Sequence, residues 1–182
     1  MHNAMLDRLP EDYRGWLIRT DYRIGIQIQL CLSDPELSES EKTGTALYLL
    51  YGNGIPDMQT AIDGLSWFMS CGNPQQPKEE ELDEPPVYSF EADAGRIVSA
   101  FRRVFGIDIS RERLHWFEFV PMLGDLRDTA FSSVIDIRTT DLSDVDKKRK
   151  AEFMRMKNRF ALRNQYTAEE QAVINEFMEK LK

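Results

Sequence analysis

The sequence predicts a mostly α-helical fold, a compact bundle of about seven helices, and it allows a small β-hairpin at the N-terminus. Apolar residues recur at helical spacing through most of the chain. Serine, threonine or aspartate, the residues that cap helices, precede several of these stretches, and glycine follows some of them. The chain has 182 residues, of which 42% are hydrophobic, enough for a globular core without disulfides or a structural metal.

The chain begins with residues whose pattern is ambiguous. Residues 16–18, Trp-Leu-Ile, are typical of a short strand, which would form one arm of the hairpin. Isoleucine and leucine then alternate over residues 24–32 with the period of a strand. Thr20 or Asp21 could equally cap a helix, which Asp34, the residue before a proline, would end. The local pattern leaves strand and helix open for this segment.

Two helices are predicted next. Ser38 and Glu41 form a capping-box pattern, and Gly52 lies where a C-terminal helix glycine belongs. The second helix starts after Pro56 and ends at Gly72. Its predicted apolar face comprises Met58, Ala61, Ile62, Leu65, Phe68 and Met69.

Residues 73–86 differ from their surroundings in composition. They contain four prolines, five acids and one lysine, and such a sequence buries too little apolar area to offset the entropy of ordering. We therefore predict a mobile acidic linker on the surface, with an acidic recognition segment as the alternative. The predicted organisation is an N-terminal segment at 1–19, a helical core at 20–142 that contains this linker, and C-terminal helices at 143–182.

Five helices are predicted after the linker. The first carries a stripe of apolar residues that ends at Gly106, and the second runs to Gly124. The fourth is long and basic. The residues at which these five helices are predicted to open are Ser89, Ser110, Thr129, Ser143 and Thr167.

The distribution of charge restricts the classes of partner. The whole chain carries a formal net charge of −8, which argues against a general nucleic-acid binder. The helix that opens at Ser143 is basic, with eight basic residues and one acid between residues 147 and 163. We interpret it as a solvated or internally paired surface, because no nucleic-acid-binding motif accompanies it.

Cysteine usage and hydropathy indicate a soluble protein of a reducing cytosol. Cys31 and Cys71 are the two cysteines, and they lack the spacing of a zinc or disulfide framework. The first residues lack the apolar region of a signal peptide, and no apolar run reaches the ~18 residues that a membrane helix needs. We expect neither secretion nor a membrane partner.

Residues 114–123, LHWFEFVPML, contain the pattern closest to a catalytic or metal site. His115 and Glu118 are three residues apart and would share a helix face. The other histidine of the chain is His2, so a zinc site would need several carboxylates. The sequence also lacks the motifs of nucleophilic hydrolases and phosphate-binding loops. We therefore expect no catalytic residue, cofactor or metal.

The simpler interpretation of the same stretch is a core helix. Pro121 would kink this helix because it removes one backbone hydrogen bond. His115 would lie at the edge of the helix with a hydrogen-bond partner. The apolar face comprises Trp116, Phe119, Val120 and Leu123.

Several short motifs, taken together and in order, resemble one protein family. They are TDYR at 20–23, DPELS at 34–38, YSFEADA at 88–94, GIDI at 106–109, and LHWFEF followed by LGDL at 114–126. From Thr20 to the region of Phe160 the chain resembles the siphophage tail-protein family called gene product fifteen. The resemblance favours a helix over a strand for residues 20–33.

The resemblance implies a function as well as a fold. By their place among the tail proteins, members of the family are similar to tail assembly chaperones, which keep the tape-measure protein soluble until tail-tube subunits replace them. We therefore expect a non-enzymatic protein of the host cytoplasm that binds the phage tape-measure protein, with other tail proteins as further candidates and a homo-oligomer allowed. The alternative is a regulatory or adaptor protein that binds one folded partner. A third hypothesis is an enzyme whose site is unrecognised.

The C-terminal helices are the predicted partner-binding region, because chain ends undock at low cost and an amphipathic helix suits a groove. We expect them to pack on the core when no partner is bound and to shift when a client helix binds. The core helix around Trp116 and Phe119 would then lie near the vacated surface. The C-terminal candidates for partner contact are Phe153, Met156, Phe160, Phe177 and Met178.

Overall fold

Helices make up most of the computed structural model, which describes residues 6–73, 86–144 and 146–162. These residues form the two strands of a hairpin and seven α-helices, so the predicted mostly α-helical fold is confirmed. Residues 74–85 of the predicted linker and the C-terminal residues 163–182 lie outside the described residues. The elements are β1 Asp12–Tyr13, β2 Trp16–Leu17, α1 Tyr22–Leu32, α2 Glu39–Tyr51, α3 Met58–Met69, α4 Ala94–Phe105, α5 Trp116–Gly124, α6 Ala130–Thr139 and α7 Lys147–Phe160.

The hairpin is present and packs on α3. Strands β1 and β2 pair antiparallel with Tyr13 opposite Trp16. The two residues between them, Arg14 and Gly15, both have positive φ, at 52° and 84°, as a tight turn of this kind requires. The ring of Tyr13 lies 5.1 Å from that of Trp67 on α3, which joins the hairpin to the helical body.

Residues 22–32 form helix α1, as the family resemblance favoured. The side chain of Asp21 caps it and accepts a hydrogen bond from the backbone N–H of Arg23 at 3.0 Å. Gly25 has a packing reason to be glycine, because a Cβ at this position would lie 2.2 Å from Cε3 of Trp116. The glycine therefore lets α1 and α5 approach closely.

Aromatic rings form the centre of the core. Phe119 on α5 is fully buried, and its ring lies 4.6 Å from Tyr22, 5.3 Å from Phe101 and 5.8 Å from Trp116. Separations of this size are typical of favourable ring packing. Helices α1, α4 and α5 are thereby joined through one side chain.

Helix α3 buries most of its predicted face, since Ala61 and Phe68 are buried and Leu65 and Met69 are half-buried against the core. Its buried residues are Ala61, Gly64 and Phe68, whereas Met58 and Ile62 are 63% and 43% exposed. Tyr13 and Tyr51 occupy the space above Gly64, where a Cβ would lie 2.0 Å from the Tyr51 hydroxyl. The glycine, which an apolar pattern does not count, thus marks the buried face.

The predicted opening of α4 is wrong by five residues. The hydroxyl of Ser89 accepts hydrogen bonds from the backbone N–H groups of Glu91 and Ala92, both at 3.2 Å. This local bonding holds residues 90–93 in a turn. The helix itself begins at Ala94 and ends, as predicted, at Gly106 in the left-handed conformation.

The predicted openings of α5 and α7 are also wrong. Ser110 does not cap α5, because it lies in a turn at residues 109–111, where its hydroxyl donates to Asp108, and α5 begins only at Trp116 with His115 as its cap. Ser143 lies in a short 3-10 turn, and Asp146 caps α7 instead. In each case a nearby residue competes for the role that the pattern assigned to serine.

Candidate functional site

An apolar groove of about 300 Å³ lies beside α5 and α6. We call it the α5–α6 groove. Its charged members, Arg127 and Asp136, are both exposed, so the charges lie at the rim. The residues that line it are Gln29, Met69, Val87, Tyr88, Phe90, Trp116, Val120, Leu123, Gly124, Leu126, Arg127, Phe131, Ser132, Ile135 and Asp136. Its size is at the lower end of the range for specific binding sites.

The first turn of α5 is positioned by His115. The Nδ1 atom of His115 accepts a hydrogen bond from the backbone N–H of Phe117 at 3.0 Å, and Glu118 Oε2 accepts one from the backbone N–H of His115 at 3.1 Å. These two bonds form a capping box in which histidine replaces the usual serine or threonine. Because Nδ1 is an acceptor, Nε2 carries the proton and donates to the carbonyl oxygen of Pro10 at 2.9 Å.

His115 therefore has the edge position and hydrogen-bond partner predicted for it. Backbone hydrogen bonds from Trp116 to Thr20 at 2.8 Å and from Tyr22 to Leu114 at 2.9 Å attach this turn to the start of α1. Within residues 6–73, 86–144 and 146–162, no three His, Cys, Asp or Glu side chains cluster as ligands for a metal ion. The side chains of His115 and Glu118 thus bond to backbone groups and fix the first turn of the helix that carries one wall of the groove.

Trp116 is a wall residue of the groove whose indole N–H has no partner. The side chain is 1% exposed, and its Nε1 is the one buried side-chain polar atom in the described part of the chain without a hydrogen bond. A buried donor left unpaired costs about 1–3 kcal/mol. The Trp116 side chain therefore lies in the groove wall with its indole N–H buried and unpaired.

A buried ion cluster lies behind the segment that borders the groove. Asp93 is fully buried and accepts hydrogen bonds from Arg138 Nη1 at 2.6 Å and Nη2 at 3.1 Å. It also accepts from Arg96 Nη1 at 2.9 Å and from the backbone N–H of Ser89 at 3.1 Å. Two parallel bonds to one guanidinium are the strongest geometry for such a pair.

The same guanidinium holds two distant parts of the chain. Arg138 Nη1 donates to the carbonyl oxygen of Val87 at 3.1 Å, and Nε donates to that of Phe160 at 2.7 Å. Val87 lines the groove, and Phe160 is the last residue of α7. Arg138 therefore fixes one border of the groove and the end of α7 together. We call Asp93, Arg96 and Arg138, with the carbonyls of Val87 and Phe160, the Arg138 cluster.

The electrostatics of the cluster favour a charged carboxylate. Burial alone would raise the pKa of Asp93. The hydrogen bonds from Arg138 and Ser89 and the charges of Arg138 and Arg96 outweigh burial, so the pKa lies below its ordinary value. Asp93 is thus ionised wherever the protein is folded near neutral pH.

Helix α7 packs on α6 with half-buried side chains. Its predicted apolar residues Phe153, Met156 and Phe160 are half-buried, and none of its described side chains is fully buried. Lys157 Nζ donates to the carbonyl oxygen of Thr140 at 2.6 Å, and the guanidinium of Arg96 lies 5.4 Å from the ring of Phe160. Few buried contacts mean a low local free energy of undocking.

The basic residues of α7 face solvent. Lys148, Arg149, Lys150, Arg155 and Arg159 are exposed. No ion pair joins a side chain of α7 to an acid among the residues that the structure describes. Of the two interpretations offered for this helix, the solvated face therefore describes it better than internal pairing.

The other residues predicted to contact a partner do not lie together on one surface of the described structure. Trp116 and Phe119 lie in the core, with Trp116 also in the groove wall. Phe177 and Met178 lie outside the described residues. Partner contact by these seven residues stays a prediction.

Asp93 and Arg138 do not stand out in the sequence pattern. An acid just before an apolar helix is usually interpreted as a cap, and Arg138 lies in the last turn of α6, where a cation is ordinary. The signal that could have singled out Asp93 is its place inside YSFEADA, one of the motifs of the family resemblance.

A comparison with models of protein families finds one match. The model described as Bacteriophage Gp15 protein matches residues 4–162. No curated protein and no solved structure gives a significant match. In the described residues, no helix is both long and apolar enough to span a membrane.

Proposed function

Because the chain belongs to the bacteriophage Gp15 protein family, we propose that it is a non-enzymatic tail assembly chaperone that keeps the tape-measure protein soluble in the host cytoplasm. A tape-measure chain is long and helical, and its apolar faces stay exposed until the tail tube forms around it. A protein that protects such a chain needs an apolar recess that accepts one face of an amphipathic helix.

The α5–α6 groove is the observation that carries this proposal. Leu123, Phe131 and Ile135 give it apolar walls, while its charges stay at the rim. Side chains of one helix face would enter the groove, and the polar face of the same helix would stay in water. Val87 and Tyr88 come from a segment without regular structure and complete the wall, with Val87 held by Arg138 and Tyr88 packed on Phe131.

The experiment is co-expression of the protein with fragments of the tape-measure protein. Wild-type protein should raise the amount of each soluble helical fragment and co-purify with it. Ile135→Asp places a charge in the groove wall and should lower this recovery at least about tenfold. Ser133→Asp is the matched control, since Ser133 is an exposed residue of the same helix outside the groove.

Two further outcomes separate the rival hypotheses. If Ile135→Asp protects the fragments as well as the wild type does, the groove is not the binding site. Phe153→Asp combined with Phe160→Asp then tests whether the half-buried face of α7 binds the fragments. If the wild type protects no fragment but binds one folded tail protein at a fixed ratio, the adaptor alternative replaces the chaperone proposal. Far-UV circular dichroism must show that each variant keeps its helices.

A further inference from the structure

The described chain ends beside the groove. The guanidinium of Arg138 donates to the carbonyl oxygen of Phe160 at 2.7 Å and to that of Val87 at 3.1 Å. The two carbonyl groups are therefore close together. Val87 is part of the groove wall. Leu162, the last described residue, follows Phe160 by two positions and is half-buried. The twenty residues that follow therefore start within a few residues' length of the groove wall at Val87.

The sequence of these twenty residues carries an apolar stripe of the kind that fits such a recess. Ile174, Phe177, Met178 and Leu181 are spaced by three, one and three residues, which places them on one face of a helix. Thr167 and Glu170 form a capping-box pattern ahead of them. The stripe presents large, adaptable apolar side chains without a β-branched run.

Reach and charge are compatible with docking. Eleven residues lie between Leu162 and Ile174. With a helix that opens at Thr167, an extended stretch at 163–167 and a helical stretch at 168–174 together span up to about 30 Å. At helical spacing Glu170 lies on the same side as the stripe, whereas Lys182 lies about a quarter-turn from the centre of the stripe. The rim of the groove offers one charge of each sign, Arg127 and Asp136, both exposed.

We propose that the apolar stripe Ile174, Phe177, Met178 and Leu181 of this chain occupies the α5–α6 groove when no partner is bound. A segment tethered near the groove has an effective local concentration on the order of millimolar. It therefore covers the apolar walls in the free protein and is displaced by a partner helix that binds the groove more tightly. That regulatory consequence rests on the proposed chaperone function, whereas the docking itself does not.

The test uses the full-length chain and a peptide probe. The probe is a synthetic peptide of residues 163–182 with a fluorescent label, and its binding is followed by fluorescence anisotropy. Phe177→Asp with Met178→Asp in the full-length protein should release the groove. The probe should then bind at least about tenfold more tightly than to the wild type, whose own segment competes.

The controls address charge and location. Ala168→Asp with Ala172→Asp adds the same two charges on the opposite side of the predicted helix, so it should bind the probe as weakly as the wild type does. Adding Ile135→Asp to the released variant should abolish the gain in affinity. Equal affinity of wild type and released variant, or a gain that survives Ile135→Asp, would overturn the proposal.

A second measurement locates the segment directly. A photoreactive phenylalanine analogue at position 178 of the full-length chain should cross-link within the same molecule to peptides that contain Leu123, Phe131 or Ile135. Cross-links elsewhere, cross-links between two molecules, or none would each contradict intramolecular docking. Since neither measurement uses the tape-measure protein, failure here and failure of the proposed function are distinguishable.

Discussion

Replacing Asp93 by asparagine tests whether the Arg138 cluster holds the fold together. The change keeps the size of the side chain and removes its charge. Arg138, whose side chain is 10% exposed, would then be a buried cation without a counter-ion. Arg96, at 34% exposure, can return to water, so most of the cost falls on Arg138.

The expected loss follows from this geometry. Removing one partner of a buried ion pair costs about 3–5 kcal/mol. Asparagine keeps one acceptor oxygen, but its amide N–H groups would face the N–H donors that the second oxygen bound, so we expect a loss of about 3–5 kcal/mol in the free energy of unfolding. Equilibrium unfolding in urea, followed by far-UV circular dichroism, measures it.

A double-mutant cycle separates the ion pair from general damage. Arg138→Met alone leaves the Asp93 carboxylate buried without its main partner and should cost a similar amount. The double variant removes both charges, so its loss should fall short of the sum of the single losses by about 1–3 kcal/mol. Losses that add to within about 0.5 kcal/mol would refute the reasoning.

The same pair gives a pH dependence with a definite sign. The pKa of Asp93 is lower in the folded protein than its ordinary value. The carboxylate therefore contributes its full stability above the unfolded pKa of about 3.9, and this contribution disappears as pH falls through the lower folded pKa. The stability difference between wild type and Asp93→Asn should shrink in that acidic range; a constant difference would mean that charge is not its cause.

Three further predictions concern single side chains. Gly25→Ala should lower the free energy of unfolding by about 1–3 kcal/mol, because its Cβ would meet Trp116 at 2.2 Å. Its control, Gly44→Ala in α2, has nothing within 4 Å of the new Cβ and should be stabilising by up to about 1 kcal/mol. His115→Ala should cost about 1 kcal/mol through the lost cap, and elemental analysis should find no bound metal that depends on this histidine. Burial raises the pKa of the Cys71 thiol from 9.0 to about 11, so its thiolate near neutral pH is about 100-fold scarcer than that of an ordinary thiol; alkylation followed by mass spectrometry should be correspondingly slow, and a rate equal to that of free cysteine would contradict the burial.

The helix boundaries that the sequence predicted correctly are those whose causes are local. Ser38 and Glu41 bond to each other within four residues, and Thr129 accepts from the backbone N–H of Ser132 at 3.1 Å. All the hydrogen bonds of a cap of this kind lie within one turn, so a sequence pattern of four residues is enough to predict it. The same local character explains the correct cap at Asp21.

Some helix boundaries and buried faces depend on residues elsewhere in the fold, and a local sequence pattern could not predict these. Ser110 matches a cap pattern as well as Ser38 does, but it lies in a turn and not at the start of a helix, and Asp108, which binds its hydroxyl, pairs with Arg102 at 2.8 Å. The exposure of Met58 likewise depends on what lies above the helix, here the hairpin packed over Gly64. An apolar pattern gives the period of a helix but not the side on which its neighbours pack.

The candidate site combines segments that sequence spacing cannot relate. Arg138 is 45 residues from Asp93, 51 from Val87 and 22 from Phe160, yet one guanidinium binds all three. Because the same donor group serves the groove border and the end of α7, moving either carbonyl away leaves donors of a buried cation unpaired. Loss of the Arg138 side chain would therefore remove both contacts at once, one at the groove border and one at the end of α7.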